Sequence, residues 1–230
     1  MPVGLLVNCG AGLLGTLIGS AIGKYVPEKT KNGLTTLFGF CAMAIGINSI
    51  VKVNAMAVVV MAVLAGYVIG SMLHLEENTT DFFTWLVRVL HLGGKDTDMP
   101  TFITVVALFC CSGFGWFGVL TEAISGDPGL LFAKSVLDFF TAVVFAAMLG
   151  PCMCAITPVQ LVIMGIIFCA GKLLAPWVDA AMMADLTACG GVLTLIAGFR
   201  VGKIKSLPLV DLMPALLLVL PLSRLWSMIF

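Results

Sequence analysis

Charged residues are scarce in this chain of 230 residues: Asp, Glu, Lys and Arg together make up 10% of it, whereas a soluble domain carries about 25%. Tyrosine and histidine are also rare, with two of each. The 12 basic residues balance the 12 acidic ones, so no excess of positive charge favours a nucleic acid as a partner. Hydrophobic residues make up 60% of the chain, and the mean hydropathy is +1.14. These values predict an integral membrane protein whose partner is the lipid bilayer.

Sequence motifs of catalysis and metal binding are missing. The eight cysteines form no CxxC pair, and neither HExxH nor GxSxG occurs. Two stretches match GxGxxG, at Gly10-Gly12-Gly15 and at Gly113-Gly115-Gly118. A dinucleotide site also needs a strand before the glycines, and neither stretch has one. We therefore expect no enzyme activity, no metal and no cofactor.

Apolar blocks recur from end to end, at about the 20 residues that a helix needs to cross a bilayer. Residues 1–73 hold three of these spans and residues 101–230 hold five. The linker between them, residues 74–100, contains Asp81–Leu92, which is too short to span and has the composition of an interfacial amphipathic helix. We predict an all-α, polytopic, single membrane domain over residues 1–230 with about eight transmembrane helices: Val3–Gly23, Gly33–Val51, Ala55–Met72, Thr101–Thr121, Leu130–Leu149, Pro158–Leu174, Leu186–Val201 and Leu207–Leu222.

Basic residues are distributed unevenly between the two sets of loops. Eight of them follow spans 1, 3 and 7, whereas the opposite side holds Lys52, Lys172 and Arg224. Loops rich in Lys and Arg stay in the cytoplasm. The linker is therefore predicted to be cytoplasmic, with the N-terminus and the C-terminus both outside. The N-terminus has no basic region of the secretory type, so we expect it to stay part of span 1.

Glycines recur every three or four residues on four of the spans, a pattern that lets helix backbones approach closely in membranes. The pattern of span 1 recurs in span 4, where Glu122 takes the place of a glycine, and the pattern of span 2 recurs in span 7. Each matched pair runs in opposite directions. Inverted repeats of the transporter type and packing without any repeat both fit this pattern. The predicted packing positions are Gly12, Gly15, Gly19, Gly39, Gly46, Gly115, Gly118, Gly191 and Gly198.

Lys134 and Asp138 lie one helical turn apart inside the apolar stretch Gly126–Gly150. A charge at such depth costs roughly 2.5–3.5 kcal/mol, so such groups usually pair, face a cavity and take part in function. The i,i+4 spacing puts the two side chains on one face, and Thr141 extends that face. Both a role in a solute or ion pathway and a structural clamp between helices are compatible with this pattern.

Other polar residues lie near the predicted span ends. Glu122 and Asp127 flank a helix-breaking turn between spans 4 and 5. If this turn enters the bilayer, its oxygens suit a cation; if it lies at the surface, it is an exposed turn. Asp185 precedes span 7 and is expected to be its N-cap. The candidate substrate or ion pathway comprises Asn8, Glu122, Asp127, Lys134, Ser135, Asp138, Thr141 and Asp185.

Four stretches, at residues 38–52, 110–128, 126–150 and 182–223, closely resemble the bacterial inner-membrane family of the YqgA/YdfK type, which is named for its unknown function. The segment GDPGLLFAKSVLDFFTA is the most specific of them. The resemblance covers essentially the whole chain and implies a multi-pass protein of the bacterial cytoplasmic membrane. It implies no substrate. The positions that match the family pattern are Glu122, Asp127, Lys134, Ser135, Asp138, Thr141 and Asp185.

Three functions fit these features. The leading expectation is an ion-coupled secondary transporter of a small solute, in which Asp138 and Glu122 exchange H⁺ or Na⁺ and Lys134 is a switchable counter-charge. The second is a passive channel, in which the same polar face lines a fixed path. The third is a scaffold or partner subunit that transports nothing. The expected ligand is a small solute or ion, and a homo-oligomer is compatible with the sequence.

Overall fold

The computed structural model describes residues 1–22, 25, 27–90, 99–205 and 207–229. All regular structure in these ranges is helical, which confirms the predicted all-α fold. Gly23, the predicted end of span 1, and residues 91–98 of the linker lie outside the described residues. The α-helices of the described ranges are α1 (Val3–Ile22), α2 (Glu28–Ile50), α3 (Met56–Met72), α4 (Leu75–Val89), α5 (Met99–Cys110), α6 (Gly113–Ser125), α7 (Gly129–Leu149), α8 (Ile156–Leu174), α9 (Ala180–Val201) and α10 (Pro214–Ile229).

Six helical stretches of the described chain are long and apolar enough to cross a membrane, or seven if the bent pair α3 and α4 forms one more. One of the six, Gly129–Trp177, contains both α7 and α8. Asn8 hydrogen-bonds both to Asp138 of α7 and to Gln160 of α8, which a straight helix would hold about 33 Å apart. The chain therefore doubles back at the 3₁₀ turn Gly150–Ala155, and this stretch makes two crossings.

The relative direction of α1 and α7 bears on whether α3, with 17 residues, crosses as well. The two helices run parallel, because Gly4 lies against Leu131 and Gly15 lies against Ala142. In a chain whose spans alternate, α7 runs parallel to α1 only if an odd number of crossings separates them, and inclusion of α3 makes that number three. These are α2, α3 and the pair α5 and α6. Counting α3, and α7 and α8 separately, gives the eight crossings of the sequence prediction.

Helices α2 and α9 pack backbone to backbone. A Cβ added at Gly39 would lie 2.5 Å from the amide nitrogen of Gly202, and one added at Gly46 would lie 2.7 Å from the carbonyl oxygen of Gly191. These contacts leave no room for a side chain, and they set the two helices antiparallel. The similar glycine spacing of spans 2 and 7 thus has a direct physical cause, since the two faces pack against each other. An inverted repeat is not needed to explain it and stays a prediction.

The predicted fourth span is broken into α5 and α6. Helix α5 ends at Cys110, and Ser112 is the N-cap residue of α6, although its side chain makes no capping hydrogen bond. Glycine at position 113 opens the second helix. Irregular backbone at membrane depth is tolerated where it is buried in protein or lines a water-filled cavity. The backbone beside Ser112 is therefore expected either to be buried in protein or to line a cavity.

Helix α4 follows α3 at a bend of 55°, with His74 in the left-handed region at φ 50°. It begins at Leu75, six residues before the predicted start at Asp81. Phe83 and Val87 are buried, and Trp85 on the opposite face is 57% exposed. Separate buried and exposed apolar faces fit a helix that lies in the membrane interface.

The last two spans begin at other residues than the sequence predicts. Helix α9 begins at Ala180 instead of Leu186, because Asp179 is its N-cap and accepts a hydrogen bond of 2.8 Å from the amide of Met182. Helix α10 begins at Pro214 instead of Leu207. Proline is favoured in the first turn of a helix, where no partner is needed for an N–H group.

Candidate functional site

Lys134 and Asp138 form an ion pair within α7. The Lys134 side chain is 3% exposed and that of Asp138 is 14% exposed. Asp138 Oδ2 also accepts a hydrogen bond of 2.8 Å from Asn8 Nδ2, and Asn8 Oδ1 accepts one of 3.0 Å from Gln160 Nε2. These four side chains, from α1, α7 and α8, form one connected polar cluster.

The glycine face of α1 brings the polar cluster together. A Cβ at Gly15 or Gly19 would collide with the backbone of Phe139 or Val143, so α1 and α7 approach closely along this face. Asn8, two turns before Gly15, is thereby held against Asp138. A Cβ at Gly12 would meet its nearest atoms only at 3.9 Å, so this position leaves more room beside Gln160.

The ammonium group of Lys134 is surrounded largely by apolar atoms. Its Nζ lies 6.0 Å from the centroid of the Phe109 ring, at the outer limit of a cation–π contact. A Cβ at Gly115 of α6 would lie 3.0 Å from Lys134 Cε, so this glycine provides the space through which the lysine stem passes. Lys134 is thus positioned by α5 and α6 as well as by Asp138.

Two adjoining cavities lead to the ion pair. The larger one, which we call the vestibule, has a volume of about 310 Å³. The smaller one, the inner cavity, has a volume of about 60 Å³ and is lined by Lys134 and Asp138. The two cavities share six lining residues and therefore adjoin: Phe38, Leu108, Ser112, Thr141, Val201 and Leu209.

Charged residues stand at the mouth of the vestibule. Arg200 Nη1 lies 2.5 Å from Glu76 Oε1. Glu76 Oε2 accepts a hydrogen bond of 2.9 Å from the amide of Val210. The side chains of Glu76 and Arg200 are 24% and 33% exposed, and Lys203 beside them is exposed. These exposed and partly exposed charged side chains place the open end of the vestibule at the end of the molecule that carries Arg200 and Lys203.

The path narrows and ends along α7. Its lining runs from Phe145 through Thr141 to Lys134, a distance of about 16 Å along the helix and roughly half of a hydrocarbon core of about 30 Å. One turn beyond Lys134 lies an apolar seal, a cluster of residues that are at most 4% exposed. The apolar seal consists of Leu5, Cys9, Val119, Leu131 and Met164.

Glu122 lies on the far side of the apolar seal, against the first turn of α1. Its Oε1 and Oε2 accept hydrogen bonds of 2.7 and 3.1 Å from the amides of Gly4 and Leu5. These are orphan N–H groups of the first turn of α1, where negative charge is favourable. Glu122, 3% exposed, therefore caps a neighbouring helix.

The expectation that Asp185 caps its own helix is wrong. Asp185 lies within α9, more than one turn after Ala180, and is fully buried. Its Oδ1 accepts hydrogen bonds from the amides of Asn54 and Ala55, at 3.0 and 2.7 Å, and its Oδ2 accepts one of 2.6 Å from the Ser223 hydroxyl. It thus caps α3 across the bundle, a partner that local sequence does not reveal.

The other three candidates lie at different distances from the path. Asp127 is exposed and accepts a hydrogen bond of 2.8 Å from the amide of Gly129, so its turn lies at the protein surface. Ser135 is buried, and its hydroxyl bonds to the Leu131 carbonyl of its own helix at 2.6 Å. Thr141 lines both cavities. Among the described residues, no group of three or more His, Cys, Asp or Glu side chains could hold a metal ion.

Three residues of the site are missing from the sequence-based candidates: Gln160, Glu76 and Arg200. Gln160 is an uncharged amide near the start of the sixth span, and its polarity there is a usable signal. Glu76 and Arg200 are 124 positions apart, and each fits an ordinary loop or helix end. No local pattern pairs them.

Comparison with known proteins establishes the family. Residues 3–224 match the sequence model of the DUF554 family, described as proteins of unknown function. The chain belongs to the DUF554 family. It is 36% identical over 231 residues to the uncharacterized protein YqgA of Escherichia coli (strain K12), covering 99% of this chain and 98% of the relative. No solved structure matches it.

A second DUF554 relative is more distant. The uncharacterized membrane protein YdfK of Bacillus subtilis (strain 168) is 26% identical over 221 residues, which cover 94% of this chain and 93% of the relative. The family resemblance found in the sequence is therefore confirmed. The apolar helices and the name of this relative together support the conclusion that the chain is a membrane protein.

Proposed function

We propose that this protein is an ion-coupled secondary transporter of a small solute in the bacterial cytoplasmic membrane. The observation that carries the proposal is that the vestibule adjoins the inner cavity, which is lined by the buried Lys134 and by its ion-pair partner Asp138. An ionisable group inside a membrane span costs free energy, so such groups usually face a cavity and take part in function. Here the pair is largely enclosed by protein, and a solute can reach it through the cavities from one side of the molecule.

The apolar seal favours a transporter over a passive channel. A pore needs a path through the whole membrane, whereas this path ends about halfway, against Leu131 and Met164. Alternating access requires a site near the midplane that is open to one side at a time. The vestibule opens at the end that carries Arg200 and Lys203, which the distribution of basic residues predicts to be cytoplasmic.

The polar cluster supplies groups that respond to a change of charge. Among the described residues, the groups that donate hydrogen bonds to the Asp138 carboxylate are side chains, and side chains reorient more easily than helix backbone. Glu122, by contrast, holds the first turn of α1 with both of its oxygens. We therefore assign the ion exchange to Asp138 and regard Glu122 as a structural cap.

Flux through the purified protein tests this function. Proteoliposomes would be incubated with a panel of radiolabelled organic acids, amino acids and amines in the external medium, and uptake would be measured with and without a pH or Na⁺ gradient. We expect gradient-dependent flux of at least one solute, reduced at least tenfold in Asp138→Asn and in Lys134→Met. Asp127→Asn and Lys172→Met make the same chemical changes at exposed positions and are expected to retain the flux.

The outcomes separate the three functions. Flux that does not depend on any gradient would indicate a channel and overturn the coupled mechanism. Unchanged flux in both pair variants would remove the pair from the mechanism. If folded wild-type protein moves no member of the panel, the transport function fails and the scaffold function is favoured.

A further inference from the structure

The inner cavity has a composition that specifies one class of solute, an inference that rests on the transport function proposed above. We propose that the solute is a small monocarboxylate, which binds Lys134 when Asp138 takes up a proton. One anion and one proton then cross together. The inference adds the charge of the solute, its size and the identity of the coupling ion.

The charge of the inner cavity favours an anion. Lys134 and Asp138 are its charged lining residues. An ammonium group has three N–H donors, and Asp138 is the hydrogen-bond partner described for it. When Asp138 is protonated, the cavity keeps one positive charge and two hydroxyl groups, those of Ser112 and Thr141. These donors match the oxygens of a carboxylate.

The volume and walls of the inner cavity limit the rest of the solute. About 60 Å³ is the volume of roughly two water molecules, which suits a carboxylate group with a short tail. The walls around the pair are apolar, with Phe38 and Phe114 among them. A sugar or a polyanion would leave buried polar groups without partners there, whereas the alkyl chain of a short monocarboxylate would not.

The neighbours of Asp138 favour a proton over Na⁺. Hard cations need several oxygen ligands, but the groups that approach Asp138 Oδ2 are the ammonium of Lys134 and the Asn8 amide nitrogen, both donors. The titratable neighbours on other helices are the thiols of Cys9 and Cys110. The side chains that α2, α6 and α9 place there are apolar. A proton needs only one lone pair of the carboxylate.

Charge neutrality couples the two movements. The empty site holds Lys134 and ionised Asp138, which sum to zero. The loaded site holds Lys134, protonated Asp138 and the anion, which also sum to zero. A site with only the anion or only the proton carries a net charge, whose desolvation in the membrane costs several kcal/mol. Only the two neutral states would therefore reorient, which gives electroneutral symport with one proton per anion.

Proton uptake on binding tests the inference directly. Isothermal titration calorimetry of the full-length protein in detergent would be run with propionate in two buffers of different ionisation enthalpy. We expect about one proton taken up for each propionate bound. Where binding takes up one proton, affinity is expected to fall about tenfold for each unit by which the pH rises. Propionamide and propylammonium have the same shape without the negative charge, and neither is expected to bind.

Variants separate the proton site from the anion site. Asp138→Asn mimics the protonated carboxyl, so it should bind propionate at all pH values without proton uptake, and Lys134→Met should not bind it. Asp127→Asn, the same change in the exposed turn, should keep the uptake of one proton. Propionate binding without proton uptake by the unmodified protein would overturn the inference, and so would propylammonium binding with proton release.

Failure of the inference can be told from failure of transport. If propionate does not bind but the panel in proteoliposomes contains another solute with gradient-dependent flux, the monocarboxylate assignment is wrong and the transport function stands. If the folded protein binds none of the three probes and moves no panel solute, both proposals fail.

Discussion

Asp185, which is fully buried, and Asp138, whose side chain is 14% exposed, are two carboxylates in membrane-spanning helices, and their surroundings differ in kind. Asp185 accepts hydrogen bonds from two backbone amides and one hydroxyl group, and it lines neither cavity. Asp138 accepts hydrogen bonds from an ammonium group and a side-chain amide, and it lines the inner cavity. The first carboxylate holds helix ends in place. The second is bonded to groups that have rotatable bonds of their own.

Burial alone therefore does not indicate function. A carboxylate that caps a helix has its charge balanced by fixed dipoles, and protonation would leave those dipoles without an acceptor. A carboxylate paired with a lysine beside a cavity has an alternative state, because a solute can replace it as the partner of the lysine. Four variants, one of them a double substitution, test the distinction between caps and exchangeable pairs, and they follow in order of decreasing expected effect.

Replacement of Asp185 by alanine is expected to have the largest effect on folding. The change removes the cap of α3 and the acceptor of the Ser223 hydroxyl, and hydrogen bonds to a charged group contribute about 1.5–3 kcal/mol each. We expect the free energy of unfolding to fall by about 3 kcal/mol, measured by tryptophan fluorescence during SDS titration in mixed micelles. Ser223→Ala should lose only part of this. An unchanged unfolding curve for Asp185→Ala would contradict the capping role.

The double substitution Lys134→Met with Asp138→Leu should have the opposite profile. Replacing a buried ion pair by apolar residues of similar size is often neutral or stabilising, so we expect the unfolding free energy to be retained. Solute flux is expected to fall at least tenfold, to the level of empty liposomes. A protein with full flux after this double substitution would show that the pair is only a clamp between helices.

Glu122→Gln should give a smaller loss of stability than Asp185→Ala. Glutamine keeps one carbonyl oxygen for the first turn of α1 but loses the charge and the second acceptor. We expect a loss of about 1–2 kcal/mol in the same SDS titration. The proton uptake per propionate should stay at one, because the coupling proton is assigned to Asp138. A loss of proton uptake in Glu122→Gln would move the exchange to Glu122.

The sequence predicts the membrane class, the positions of the spans and the location of the polar face. Those features depend on hydrophobic length and on the rarity of charge in apolar stretches, both of which are local. Lys134 and Asp138 are conspicuous for that reason, and Asn8 is a polar amide in the glycine face of α1.

The partners of these groups are not predictable from local sequence. Asp185 has the composition of an N-cap, but the helix that it caps is 130 positions away. Gln160 carries no charge and escapes a search for charged residues. The cavities lie beside the break at Ser112 and are lined by residues of α2, α5, α7 and α9, an arrangement that depends on packing between helices distant in sequence. Periodicity along one helix contains no such information.

The smallest effect is expected for Asp127→Asn, which tests the exposed end of the series. Asp127 accepts the amide of Gly129 in a solvent-exposed turn, and asparagine is as good as aspartate as a cap at such a position. Because the carboxylate is hydrated in both the folded and the unfolded protein, loss of its charge should change neither unfolding nor flux beyond measurement error. If flux fell instead, the turn between α6 and α7 would have to enter the solute path during transport. The distinction between exchangeable and structural carboxylates would then have to include positions that look exposed in this one conformation.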